Sequence, residues 1–181
     1  LPDLAREASL RRRTRSLRVW SAACSTGEEP YSIALKLAGR RGTMTGWKLH
    51  VLGTDLSASA LAAADAAVYD ERALHLVPAA DRAAFFDEKT PGRWTLRPEV
   101  RSLVELRPHN LLERLSAEPF DCVFLKNVLI YFDAASKRRV IERILAAMAP
   151  GGRLVIGPTE GVQGMLGPLE KLKPWLYRKN G

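Results

Sequence analysis

Where the run Val19-Trp20-Ser21-Ala22 gives way to Ala23-Cys24-Ser25-Thr26-Gly27-Glu28-Glu29-Pro30, small side chains, a single glycine and two adjacent acids follow an apolar stretch. Small residues let a ligand approach the backbone, and a helix opening directly after them aims free N–H groups at it. The acids bear on which ligand that would be. Glu28 and Glu29 repel a polyphosphate and attract a molecule with cationic and hydroxyl groups; S-adenosylmethionine, with an ammonium, a sulfonium and a ribose diol, has that chemistry. The same pair of acids also suits the positive first turn of a helix with no ligand present, and the residue types alone leave both readings open.

Five further residues could serve such a ligand or the group that receives from it. Asp55 closes the apolar run Leu49-His50-Val51-Leu52-Gly53-Thr54, one βαβ unit downstream, where an acid reaches the ribose hydroxyls of an adenosine cofactor; as a turn or capping residue it would need no ligand. Asn110, after Leu103-Val104-Glu105-Leu106, has a side chain that both donates and accepts, as an adenine edge requires, and is equally a plain turn asparagine. Lys126 and Asn127 end the run Phe120-Asp121-Cys122-Val123-Phe124-Leu125, and Tyr131 follows in an aromatic turn; a cation and a phenol there could hold an acceptor carboxylate. His50, His75 and His109 join no Ser/His/Asp arrangement. Cys24 and Cys122 stand far apart with no CxxC or His-rich partner, so neither a zinc site nor a disulfide framework is indicated.

These residues need elements to carry them. An apolar run over 17–22 and a helix pattern from Glu28 to Leu37, ended by Gly39, predict strand, turn and helix. A second strand ends at Asp55, with Ser57 placed to cap an alanine-rich helix to about Ala67. From about 70 to 101 the alternation breaks: a short helix carrying Phe85 and Phe86, then a Pro91-Gly92 turn into Trp94-Thr95-Leu96, reads as an insertion with those aromatics as its core. Strands over 103–106, 120–125 and 153–157, a helix capped near Asp133 or Ser136 running to Met148, and a last strand around 175–179 complete an α/β chain. Residues 1–17 read as a basic helix or linker stub, with a short amphipathic helix over 4–17, ahead of the domain over 18–181.

The chain has 181 residues, 46% hydrophobic, and a net charge of +8. That length suits one domain with a real core, and no apolar run is long enough to span a membrane. Much of the charge sits at the ends: Arg6, Arg11, Arg12, Arg13, Arg15 and Arg18 at one, Lys171, Lys173, Arg178 and Lys179 at the other. No aromatic residue interleaves the first cluster as base stacking would require, so a solvated helix or an acidic protein partner fits it better than nucleic acid.

The stretch Ala22-Ala23-Cys24-Ser25-Thr26-Gly27-Glu28-Glu29-Pro30-Tyr31-Ser32 resembles the signature of CheR-type chemoreceptor glutamate methyltransferases. Gly53-Thr54-Asp55-Leu56-Ser57, Asn110-Leu111-Leu112 and Asn127-Val128-Leu129-Ile130-Tyr131 are similar to further family motifs. The resemblance implies a doubly wound, mostly parallel, seven-stranded Rossmann-like sheet with a small inserted subdomain. It implies S-adenosylmethionine as cofactor, held by Ala22, Ala23, Ser25, Thr26, Gly27 and Glu28 at the first turn. Asp55 and Leu56 would hold the ribose, and Asn110, Leu111, Asn127 and Val128 the rest. Lys126, Asn127 and Tyr131 would serve the transfer itself, onto glutamates of a chemoreceptor's cytoplasmic region, by a monomer in a reducing cytoplasm. The family pattern has arginine where Lys126 stands and histidine where Pro158 stands. Its N-terminal helical domain and Thr-x-Phe-Phe-Arg segment, a source of cofactor contacts and an active-site arginine, have no counterpart in residues 1–17. A cofactor-binding module without turnover, or a methyltransferase for another substrate such as RNA, therefore stand as alternatives.

Overall fold

A computed structural model describes residue 7 and residues 15–180. The basic helix expected over 4–17 falls mostly outside the described residues, and its last two are already strand: β1 spans Ser16–Ala22. Along β1 the side chains alternate between two cores. Leu17 and Val19 enter one, Trp20 and Ala22 the other, so the strand reads as a continuous apolar run because both of its faces are covered.

Its neighbour β2 (Lys48–Asp55) runs parallel, Ser16 opposite Lys48 through Ala22 opposite Thr54. Between them lies α1 (Glu28–Ala38), whose first turn carries Glu28 and Glu29, whose last carries Lys36, and whose end is capped at Gly39, a charge order that complements the helix dipole. Pro30 is tolerated because the first-turn N–H has no intrahelical partner. The helix buries Tyr31, Ile33, Ala34, Leu35 and Leu37, each large one contributing about 1.5–3 kcal/mol. After β2, the Ser57 hydroxyl accepts from the Ala60 N–H at 3.2 Å and starts α2 (Ala58–Ala66).

The next stretch folds into a three-stranded antiparallel sheet in the order β3-β5-β4, with β3 Val68–Asp70, β4 Phe86–Thr90 and β5 Arg93–Leu96. It begins slightly earlier than the expected 70–101, because Val68 and Tyr69 pair with Thr95 and Trp94. Phe85 ends the short α3 (Ala79–Phe85), but Phe86 does not continue it. Phe86 is extended, pairs with Leu96 and is 4% exposed, so cross-strand packing prevails over helix continuation. Phe86 belongs to the same core as α1, and Phe85 and Trp94 pack against that cluster. The insert therefore shares the main core instead of closing one of its own.

A single turn of helix, α4 (Pro98–Arg101), leads to β6 (Val104–Pro108), and β7 (Phe120–Leu125) follows with no helix between them. Asp133 caps α5 (Ala134–Ala147) by accepting the Ser136 N–H at 2.7 Å, and these bonds lower its pKa. The helix lays Val140, Ile141 and Ile144 onto the second core, and Lys179 Nζ closes its end by donating to the carbonyls of Leu145 and Met148 at 2.8 and 2.9 Å. β8 spans Met148–Ile156, starting before the expected Arg153; Pro150-Gly151-Gly152 is a register shift opposite β7 and not a break. A hairpin of β9 (Leu169–Lys173) and β10 (Leu176–Lys179) ends the fold. β9 was not expected from the sequence, since four of its five residues are exposed and give no alternation.

The main sheet has seven strands in the order β6-β2-β1-β7-β8-β10-β9. Neighbours from β6 through β8 are parallel, and β10 is antiparallel to both β8 and β9. The chain builds outward from β1 to β2 and β6, then returns to the other side of β1 as β7. That reversal leaves a crevice at the carboxyl ends of β1 and β7, where open α/β sheets bind ligands.

Candidate cofactor and acceptor site

The turn after β1 is built from residues in the left-handed region: Ala23 at φ 61°, Ser25 at φ 48° and Gly27 at φ 91°. For the two non-glycine residues this conformation costs on the order of 1 kcal/mol each, so neighbouring bonds must hold it. The Cys24 N–H donates to the Thr54 carbonyl at 2.8 Å, the Ser25 N–H to Asp55 Oδ2 at 2.8 Å, and the Gly27 N–H to the Cys24 carbonyl at 3.0 Å. Gly27 is required twice over. Besides its φ, a Cβ there would sit 2.8 Å from the Ala64 Cβ and 3.0 Å from the Tyr69 hydroxyl. Tyr69 donates to the Thr26 carbonyl at 3.1 Å, which ties β3 to the turn.

Asp55 is the hinge of this arrangement. One oxygen takes the Ser25 N–H and the other takes the Ser57 N–H at 2.9 Å, so a single carboxylate aligns the first turn with the start of α2. Each oxygen keeps a second lone pair for another donor. Burial, followed by the nearby Asp55 charge, pushes the Cys24 thiol up to about 12. Cys24 is therefore a neutral packing group and no nucleophile.

The two acids after Gly27 separate. Glu28 is exposed and accepts from the Thr26 hydroxyl at 2.9 and 2.7 Å. Glu29 accepts from the Ser21 hydroxyl at 2.7 Å and from Lys126 Nζ at 3.0 Å, so it has a cation of its own. The bias against phosphate thus rests on Glu28 and Asp55. Lys126 follows Phe124 on the α1 face of β7, and both line a cleft of about 600 Å³ together with Glu29 and Ser32. Asp55, Asn110 and Asn127 are not in that cleft; they sit along the strand ends.

Asn110 follows β6 directly beside Asp55, since the His109 N–H donates to the Asp55 carbonyl at 3.0 Å. Its Oδ1 takes the Leu112 N–H at 3.0 Å, leaving its amide N–H groups available to a ligand. The Leu111 side chain is 7% exposed and belongs to the second core, so only its backbone is offered to the crevice. Leu56, 74% exposed, stands at the opposite extreme. His109 packs edge-on to Trp20 with ring centroids 5.9 Å apart, and burial lowers its pKa.

At the end of β7, Asn127 lies at φ 58°, and the residue holding it there is one that sequence reasoning left without a role. Glu160, 0% exposed, accepts the Asn127 and Leu129 N–H groups, the second at 2.6 Å, while its own carbonyl accepts from Lys137 at 2.8 Å. A Cβ at Gly157 would lie 2.8 Å from Glu160 Oε1, so the glycine makes room for the carboxylate. In the sequence, Gly157-Pro158-Thr159-Glu160 is similar to the family's closing Gly-x-Ser-Glu turn, a signal that marks the position without its contacts. The loop it organises holds Val128 half-buried, Ile130 47% exposed and Tyr131 82% exposed.

Register puts these pieces in one row. Ala22 is opposite Leu125, Leu125 is opposite Ile156, and Asp55 is opposite Pro108. Asn110, Asp55, the 22–28 turn and Asn127 therefore follow four adjacent parallel strands at their carboxyl ends. Their donor set fits an adenosine carrying a cationic tail: small residues at the floor, a carboxylate and an amide with free capacity, and an acid at Glu28 with no ion-pair partner among the described residues. No cluster of His, Cys, Asp and Glu able to hold a metal occurs among the described residues.

Comparison with known proteins agrees with this chemistry. The family model described as CheR methyltransferase, SAM binding domain, matches residues 2–175. The chain belongs to that family. It is similar to chemotaxis protein methyltransferase 1 of Pseudomonas aeruginosa, 43% identical over 154 residues that cover 82% of this chain and 56% of the relative. It is also similar to chemotaxis protein methyltransferase 1 of Vibrio cholerae, 36% identical over 163 residues, covering 88% and 59%. This CheR-family chain thus spans a little over half the length of these curated relatives. Among solved structures it is similar to the glycopeptide N-methyltransferase MtfA complexed with S-adenosylmethionine, with a TM-score of 0.49 at 22% identity, covering 84% of this chain and 51% of that one. No helix among the described residues is long and apolar enough to cross a membrane.

Proposed function

We propose that this chain carries the catalytic domain of a protein-glutamate O-methyltransferase that uses S-adenosylmethionine to esterify glutamate side chains in the cytoplasmic region of chemoreceptors. The observation that carries this reading is the row of strand ends that places Asp55 and Asn110 on one side of the 22–28 turn and the Lys126–Tyr131 loop on the other. The first side holds adenosine, through Asp55 on the ribose diol and the Asn110 amide on the adenine edge. The turn and Glu28 take the charged tail, and Asn127 and Val128 bound it from the β7 side.

The bound cofactor supplies a methyl group on a sulfonium, ready for in-line transfer. What remains for the protein is alignment. A glutamate side chain, with an ordinary pKa of about 4.3, is ionised at neutral pH and needs no general base, which accords with a site where no histidine is paired to a nucleophile. Orientation of donor and acceptor can supply on the order of 7–11 kcal/mol of such a barrier. Tyr131 presents a phenol to the acceptor carboxylate. Lys126 presents a cation, which the Glu29 and Ser21 contacts hold at the end of β7. A lysine offers a point charge where arginine would offer a fork, so Tyr131 must contribute the directionality.

The reading is tested with cofactor labelled in its methyl group and two versions of a receptor cytoplasmic fragment, one with its acceptor glutamates and one with glutamines in their place. Label is expected in the first and at background in the second. Equal labelling of both, or of neither while the cofactor binds, overturns it.

A further inference from the structure

The β9–β10 hairpin carries surface chemistry that the cofactor site does not use. Residues 171–175 are all exposed, including two large apolar side chains, Leu172 at 37% and Trp175 at 45%. Lys173 Nζ lies 5.5 Å from the centre of the Trp175 ring, a cation–π distance, and Lys171 stands beside them. Neither lysine has an ion-pair partner among the described residues. Glu170, the acid on the hairpin itself, is occupied: it accepts from Arg178 at 2.8 Å. The tip is thus an aromatic and aliphatic surface rimmed by positive charge.

Its place in the fold gives that surface a meaning. The Trp175 carbonyl accepts the Ile156 N–H at 3.0 Å, and Ile156 is opposite Leu125 in the adjacent strand. The hairpin tip therefore stands at the same end of the sheet as Lys126, with β10 two strands and β9 three strands from β7, or about 10 and about 14 Å at the usual spacing. The exposed Ile130 and Tyr131 belong to the loop leaving β7 on that side. A macromolecule that brings a side chain to the Lys126–Tyr131 loop comes within reach of residues 171–175 at the same end of the sheet.

We propose that Lys171, Leu172, Lys173 and Trp175 form a docking platform for the acidic, partly apolar surface surrounding the acceptor glutamate of the protein substrate. This rests on the reading that the acceptor is a protein glutamate and adds where its host is gripped. Aromatic anchors carry a disproportionate share of interface energy, and the two lysines steer an acidic partner with a salt-dependent association rate. A single tryptophan with two lysines and no arginine offers one stacking face and no base-reading fork, which favours a protein over nucleic acid.

The test is a binding titration of a chemoreceptor cytoplasmic fragment to the wild-type chain, to Trp175→Ser and to the double variant Lys171→Glu with Lys173→Glu. Calorimetry with S-adenosylhomocysteine checks that each variant keeps its cofactor site. Each variant is expected to bind the fragment at least about tenfold more weakly with cofactor affinity unchanged, and the charge-reversed one to lose most of the salt dependence. Variants that bind the fragment as wild type does overturn the platform, even where wild type methylates it, and so does a wild type that does not bind the fragment. Loss of binding to a single-stranded RNA oligonucleotide with fragment binding intact overturns it as well and assigns the patch to nucleic acid. Binding through the patch without methyl transfer leaves the platform standing and removes the glutamate-transfer reading instead.

Discussion

Replacing Asp55 by alanine is expected to weaken S-adenosylhomocysteine binding by about a hundredfold, or about 2.7 kcal/mol, with a smaller effect on folding. The carboxylate does two jobs at once. It takes the Ser25 and Ser57 N–H groups at 2.8 and 2.9 Å, holding Ser25 in its left-handed conformation, and in the proposed reading its remaining lone pairs take the ribose diol. Alanine removes the ligand contact and also frees the turn, whose Ala23 and Ser25 backbones are unfavourable without support. Asparagine keeps one acceptor oxygen and the shape, so Asp55→Asn should lose roughly tenfold, intermediate between the two. Calorimetric titration of the three proteins measures this directly. An alanine variant within threefold of wild type would mean that Asp55 is only a turn residue and that the adenosine lies elsewhere.

The second large effect is expected at Glu160. Its side chain is 0% exposed and accepts two backbone N–H groups from the loop after β7. In Glu160→Ala the Leu129 N–H is left buried and the Asn127 N–H part-buried without an acceptor, at up to about 1–3 kcal/mol each, and a value near 3 kcal/mol lowers the melting temperature of a chain this size by roughly 6–12 °C. Glutamine does not rescue it fully, since its amide turns a donor towards one of two donors. At temperatures where the variant is folded, the Asn127 loop loses its template, so methyl transfer should fall further than cofactor affinity does. Melting within about 2 °C of wild type would show that the loop is held by its own packing.

These two residues also mark where the sequence was informative and where it was not. The place of Asp55 at the end of β2 was legible because its signal is local: an apolar strand, an acid at its end and a capping serine two residues on, all within one βαβ unit. The Ala22–Tyr31 turn, α1 and the cap at Ser57 were legible for the same reason. Glu160 was not, because what defines it is a contact to Asn127 and Leu129, more than thirty residues earlier. Only the closure of the sheet brings them together. The engagement of Lys126 by Glu29 is equally nonlocal, and it changes the meaning of the paired acids: one of them is already neutralised from β7.

Other differences come from competing local preferences. Phe86 stands at the end of a helical pattern, but strand pairing with Leu96 buries it better. Leu111 sits in a motif that suggests ligand contact, while its side chain completes the core beneath. β9 has too little alternation to be read as a strand and exists because β10 offers it an edge. Its exposed lysines and leucine enter the proposed platform only through its place one strand beyond β8, on the far side of β10.

The most direct measurement of the central claim is the chemical nature of the bond formed. A receptor fragment labelled by this chain from methyl-labelled S-adenosylmethionine should release its label as methanol on mild alkaline treatment, as a glutamate methyl ester does. Label that survives the same treatment would place the methyl group on nitrogen or another alkali-stable acceptor and contradict the account.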